Sequence, residues 1–189
     1  MSKSVTHLIA DPHFGHESII RMCARPFADV REMNQTMAAN WRAVVRPNDD
    51  VICLGDFAHR MPADELKKLF ASLPGRKHLI VGNHDGPETR ALPWESIRDL
   101  AFVSIDGTRC VLCHYALRSW PGIRRGALML YGHHHGRLPG NSQSMDVGVD
   151  VLGFTPVRLA TVKAHLATLP PLVDPEGGDD LENDVGVKL

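Results

Sequence analysis

Five apolar runs in this chain each end on a cluster of turn-forming and metal-ligating residues, and that recurrence restricts the fold more than any other feature. Residues 5–10 run into Asp11-Pro12-His13, residues 51–54 into Gly55-Asp56, and residues 78–81 into Gly82-Asn83-His84-Asp85. Farther along, residues 109–113 lead to His114 and residues 127–131 to Gly132-His133-His134-His135. Short apolar runs closed by glycine and polar residues read as buried strands. In open α/β sheets, ligand sites lie beyond the carboxyl ends of the strands. The order of residues therefore predicts strands whose ends gather carboxylates, imidazoles and an amide. Gly55, Gly82 and Gly132 would let the backbone turn sharply there.

Helices are expected between the early strands. Residues 29–45 carry Met33, Met37, Trp41, Val44 and Val45 on one helical face, with Asp29 and Glu32 as a capping-box-like start and Pro47 as the stop. Residues 62–73 place Leu66, Leu69, Phe70 and Leu73 on a second stripe that Pro74-Gly75 ends. Both stripes read as core packing. After Pro87 and Pro93 the pattern changes to strands at 101–105, 109–113 and 127–131, with Asp106-Gly107 as a hairpin turn between the first two. Residues 144–151 alternate like a further strand, and a short amphipathic segment runs to about Leu169. This predicts an α/β domain over residues 1–169, two packed and mostly mixed β-sheets flanked by helices. Residues 170–189, rich in proline, glycine and acid, read as a mobile tail.

Composition removes several function classes. A length of 189 residues suits one domain with a substantial core. The net charge of -1 gives no global basic field for nucleic acid, although a local patch stays open. No apolar run approaches the roughly 20 residues that span a bilayer, and no signal peptide is evident, so a cytoplasmic protein without a membrane partner is expected. Cys110 and Cys113 have C-x-x-C spacing, but positions three apart on a strand face opposite sides. They read, with Cys23 and Cys53, as reduced thiols, not a metal clip.

The clusters hold the donors that hard-to-borderline divalent ions prefer. Asp11 and Asp56 supply charge, His13, His114, His133 and His135 supply nitrogen, and Asn83 supplies an amide oxygen. Cysteine is absent from every cluster, which argues against structural zinc. In their order, D-x-H, G-D, G-N-H-D, H and G-H-x-H, these fragments resemble the calcineurin-like metallophosphoesterase superfamily. The opening Asp11-Pro12-His13-Phe14-Gly15-His16 is similar to a small bacterial and phage branch of it.

The resemblance implies a four-layer αββα sandwich with two divalent metal ions. Asp11, His13 and His135 would bind one ion, and Asn83, His114 and His133 the other. Asp56 would bridge them, since each carboxylate oxygen can face one ion. Mn²⁺ is favoured, with Fe, Zn, Ni or Co as alternatives. The implied reaction is hydrolysis of a phosphomonoester or phosphodiester by a hydroxide held between the ions. His84 would stand over the substrate as a catalytic group and not a ligand. Asp85 has two readings, an orienter of His84 or the cap of a turn. His16 likewise either contacts the substrate or caps a helix near Glu17. Asp150 either holds a metal-binding histidine by its distal nitrogen or is an ordinary strand-end aspartate. Arg25, Arg118 and Arg137 are potential phosphate clamps but more simply surface residues, and His7, His59, His78 and His165 read as incidental. A non-catalytic scaffold is the alternative of a different class, and the retention of His84 and all seven ligand positions weighs against it. A nuclease acting on polynucleotides finds no support in the near-neutral charge. The expected partner is a phosphate-ester substrate. Neither its identity nor the oligomeric state is encoded in these motifs.

Overall fold

The computed structural model describes residues 4–173. Its strands are β1 (Thr6–Ile9), β2 (Asp50–Cys53), β3 (Arg76–Ile80), β4 (Ser96–Arg98), β5 (Leu100–Ile105), β6 (Thr108–Cys113), β7 (Leu128–Tyr131), β8 (Ser144–Asp146) and β9 (Val157–Arg158). The helices are α1 (Glu17–Met22), α2 (Val30–Val44), α3 (Ala63–Ser72), α4 (Pro87–Arg90), α5 (Val149–Leu152) and α6 (Leu159–Leu166). One sheet has the order β4-β3-β2-β1-β9, with β9 antiparallel and the other neighbours parallel. The second has the order β5-β6-β7-β8, in which β5 and β6 form the expected hairpin and β6, β7 and β8 are parallel. The protein is thus an α/β fold of two packed mixed sheets.

Period-two alternation explains why the early runs carry apolar residues on both faces. Leu8, Ile52, Leu54 and Ile80 turn one way, into the core between the sheets. Ile9, Val51, Cys53 and Leu79 turn the other way, against the helices. Strands buried on both faces need apolar residues at every position. Helix α2 supplies Met33, Met37 and Trp41 to that outer core, and α3 supplies Leu66 and Phe70. Burial of each methionine stabilises by about 1.5–3 kcal/mol. The Trp41 indole N–H finds the Pro74 carbonyl at 2.9 Å, so its polar atom is not stranded. Asp29 caps α2 by accepting from Glu32 N at 2.8 Å, while Glu32 reaches back to Ala28 N at 2.7 Å.

The outer face of the second sheet is covered differently from the first. Val111, Met129 and Tyr131 pack under Trp120 and Ile123, which belong to a connection holding only a 3-10 turn at Ile123–Arg125. Helix α6 instead sends Leu159, Val162 and Leu166 into the core between the sheets. The helical cover is therefore one-sided, and a loop supplies the fourth layer. Cys110 faces the core between the sheets while Cys113 packs against the outer cluster, and both are free thiols.

Three local expectations change. The strand expected over 144–151 ends at Asp146, because the Val149 N–H bonds the Ala10 carbonyl at 3.0 Å and the chain turns into α5 beside β1. Strands β4 and β9 are additional, being too short and polar to show a period. Pro170 and Leu172 are tied to Ser142 by bonds of 2.8 and 3.0 Å, so the packed chain continues past residue 169. Residues 174–189 of the expected tail lie outside the described residues. Among the described residues, no helix is long and apolar enough to cross a membrane.

Candidate metal centre

The motif-bearing strands are neighbours. β1, β2 and β3 lie side by side in one sheet and β6 and β7 in the other, so their carboxyl ends open onto one space. The loops leaving them are joined by backbone bonds of 3.0 Å: Asp11 N to Gly55 O, His13 N to Asp56 O and Gly132 N to His114 O. Close approach sets the glycines. A Cβ at Gly82 would collide with the Asp56 carboxylate, and one at Gly132 would stand 2.6 Å from Asp11 Oδ2. Asp11, His13, Asp56, His133 and His135 all adopt left-handed φ values between 50° and 70°. Such strain in non-glycine residues clusters at functional sites.

Three groups of potential ligating atoms converge among the described residues; one, Cys23 with His135 and Asp150, lies behind His135, and the other two are built from the motifs. The Asp11, His13 and His135 donors lie within 4.8 Å of one another, and so do those of Asp56, His114 and His133. Asp56 Oδ2 links the two groups, 3.5 Å from His114 Nε2 of its own and 3.4 Å from His13 Nε2 of the other. Asn83 Oδ1 lies 3.1 Å from His114 Nε2 and 2.9 Å from His133 Nδ1. All seven expected ligand positions therefore come together.

The donors are also oriented. The His114 Nδ1 edge meets the Leu54 carbonyl at 2.8 Å, which leaves Nε2 facing the centre. His135 Nδ1 meets Asp150 Oδ2 at 2.7 Å, leaving its Nε2 free. Asp150 is clamped in turn by Arg25, at 2.9 Å through Nε and 2.8 Å through Nη2. Arg25 is buried and also binds the Asp11 and Pro12 carbonyls at 2.8 and 3.0 Å. It braces the first motif instead of lying at the surface. Its link to Asp150 joins positions 125 residues apart, so no spacing rule could reveal it.

Burial leaves two donors without partners. Asp11 Oδ1 and His13 Nε2 are both buried and make no hydrogen bond. A buried polar atom without a partner costs about 1–3 kcal/mol. The ordinary values of these groups are also displaced. Burial raises Asp11 well above the usual carboxylate range, against the attraction of His114. Burial pushes His13 down to about 2. Burial would lower His114 too, but its contact with Asp56 prevails and pushes it up to about 9. Burial opposes ionisation of Asp56, yet the His114 contact brings it down to about 2. Mixed oxygen and nitrogen donors, orphaned and converging, fit divalent cations.

The remaining candidates separate. Asp85 directs its carboxylate to three backbone N–H groups, Gly82, Asp56 and Phe57, at 2.8–2.9 Å. Of its two readings, the geometry is that of a turn cap. The His84 backbone N–H bonds Asp56 Oδ1 at 2.7 Å, which fixes the residue beside the centre. His16 precedes α1 without a side-chain cap bond, and its Nδ1 meets His13 Nδ1 at 3.2 Å. Arg137 reaches Met22 O and Cys23 Sγ, at 3.5 and 3.6 Å. His59, read as incidental, belongs to the site's edge: its ring centroid is 4.4 Å from that of His16 and 4.5 Å from that of His84. Only its place four residues after Gly55 could have signalled this.

Comparison with known proteins agrees with this geometry. The model of the calcineurin-like phosphoesterase family matches residues 6–158. An uncharacterized protein of Methanocaldococcus jannaschii is 32% identical over 169 residues, covering 84% of this chain and 89% of that protein. The gene 66 protein of Mycobacterium phage L5 is 39% identical over 87 residues, 44% of this chain and 41% of that protein. The crystal structure of a protein of unknown function from Aquifex aeolicus shares the fold, with a TM-score of 0.67 at 23% identity, covering 86% of this chain and all of that one. With converging ligands at the strand ends and a family match across most of its length, this chain belongs to the calcineurin-like phosphoesterases, a family of phosphoester hydrolases that use divalent metal ions.

Proposed function

We propose that this protein is a two-metal phosphoesterase that hydrolyses a phosphomonoester or phosphodiester by direct in-line attack, with no covalent phospho-enzyme. The observation that carries the reading is Asp56 Oδ2, which groups with His114 and His133 and also lies 3.4 Å from His13 Nε2 of the other, largely buried group. Asp11, His13 and His135 would hold one ion, Asn83, His114 and His133 the second, and Asp56 would serve both. When bound, two divalent ions supply Lewis-acid charge and lower the pKa of the attacking water. Mn²⁺ suits these mixed donors best, with Fe, Zn, Ni or Co as alternatives.

The chain's own groups do the rest. Asp150 and Arg25 hold His135 in one orientation. Asp85 fixes the backbone that presents Asp56 and His84. His84 faces the phosphoryl group, where an imidazole stabilises its oxygens or protonates the leaving oxygen. Two ions outweigh the two ligating carboxylates, so the centre attracts an anion. The test is a metal analysis joined to a Mn²⁺-supplemented screen of generic mono- and diesters, nucleotides and oligonucleotides. Two ions per chain and hydrolysis of at least one ester class are expected. Fewer than two ions in an active enzyme overturns the two-metal reading.

A further inference from the structure

A cleft of about 600 Å³ adjoins the centre and shares Asn83 and His84 with it. Its far wall is the segment after Asp56, with Ala58 and Leu66 buried and Met61 half-buried. Arg60 and Glu88 stand exposed on its rim. We propose that this cleft receives the alcohol portion of the phosphoester, that His59 contacts it, and that the substrate class is a phosphate ester with an uncharged, ring-sized leaving group. The inference rests on the phosphoesterase reading, which puts the phosphoryl group at the ligand cluster.

Four observations carry it. First, the cleft begins at His84, the residue that the proposed function sets at the leaving oxygen. Second, the far wall is rigid. His59 N bonds Phe14 O at 2.9 Å and Phe14 N bonds Phe57 O at 3.0 Å, so this wall is zipped to the first metal-binding loop. Arg60 holds a left-handed φ of 56°, an uncommon conformation for a long side chain. Third, the volume falls within the range of small-molecule sites, well beyond what a bare phosphate needs. Fourth, Met61, Pro62 and Ala63 present apolar carbon on one wall while the rim carries one charge of each sign, Arg60 and Glu88. An apolar wall favours a ring over a small polar alcohol. Balanced rim charge does not favour a polyanionic leaving group, and that argues against polynucleotides.

The test compares phenylphosphonate with methylphosphonate, two stable mimics that differ only in the group bound for the cleft, by calorimetry on the Mn²⁺-loaded protein. Wild type should bind the phenyl compound about tenfold more tightly, as partial burial of a ring implies. Ala63→Trp, at an exposed cleft position on α3, should bring the ratio close to one. His59→Ala should lower it in a protein that melts like wild type. Equal affinities in wild type, no binding of either compound, or a ratio that survives Ala63→Trp would each overturn the inference. Hydrolysis of p-nitrophenyl phosphate is assayed in parallel. A preserved affinity ratio without hydrolysis of this ester or of any mono- or diester in the screen removes the phosphoesterase reading, and the cleft then stands only as a binding site for the ring of a phosphonate, not for a leaving group.

Discussion

The two ends of the parallel strands carry the same side-chain types in opposite states. At the amino end, Asp49 accepts from Val5 N and Arg46 N at 3.0 Å and meets His7 Nε2 at 3.4 Å. Asp50 is filled by Ser4, by both arms of Arg76 and by His78. At the carboxyl end, Asp11 Oδ1 and His13 Nε2 are buried with no hydrogen-bond partner. The acidities follow. Burial pushes both Asp49 and Asp11 upward, but at Asp49 the Arg46 and Val5 amides prevail and hold it below the usual range, whereas Asp11 ends well above it. His7 Nδ1 is also unpartnered, yet His7 belongs to no converging group of ligand atoms among the described residues. Aspartate and histidine thus mark a functional site where they converge unsatisfied, and structural pairing where the protein itself completes them.

Substituting each end in turn breaks or sharpens the contrast. Asp56→Asn should have the largest effect, a loss of kcat/KM on the order of 10³-fold with impaired binding of both ions. Plasma mass spectrometry checks it, and two ions held as tightly as in wild type would remove the bridging role. His84→Ala should keep both ions and lower kcat roughly 10²–10⁴-fold. The loss should grow with the basicity of the leaving oxygen, and equal turnover of a poor leaving group would exclude His84 from proton transfer. Asp150→Asn should weaken metal affinity about 10–100-fold by releasing His135, as read by metal titration. Unchanged affinity would mean that Arg25 and Asp150 only brace the fold.

Asp49→Ala should act at the opposite end alone, leaving metal content and kcat unchanged. It exposes amides that a carboxylate now satisfies, at a cost of about 1–3 kcal/mol in stability. Because the folded pKa of Asp49 is depressed, its contribution is complete above its unfolded value and fades as pH falls through the folded one. The difference in Tm between Asp49→Ala and wild type should therefore shrink in acid. A difference that is constant with pH would remove the charge from the account.

Much of the fold was legible because local rules agreed. Residues 5–10 and 51–54 are apolar on both faces since both faces are buried, and α2 shows its stripe, cap and stop within about twenty residues. Strand β4 was not legible, because three residues at a sheet edge carry no periodicity. Nor was the end of β8, since a bond from Val149 N to the Ala10 carbonyl just past β1, not a local breaker, turns the chain there. The expected ligand positions could be named one by one, whereas the places of Arg25 and His59 could not, since Arg25 read as a phosphate clamp or a surface residue and His59 as incidental. Arg25 acts through Asp150, far along the chain, and His59 becomes part of the site only through the pairing of its segment with the Phe14 loop.

What the amino-acid order determined by itself is the donor set and its placement at strand ends: Asp11, His13, Asp56, Asn83, His114, His133 and His135, each next to an apolar run. Side-chain chemistry and period-two burial are local properties, so they can be read without coordinates. Tertiary structure alone decided which carboxylates stay unsatisfied, which nitrogen of His135 is free, and what lies beside His84. Those depend on hydrogen bonds and packing between segments distant in sequence, where the energy comes from geometry that no spacing encodes.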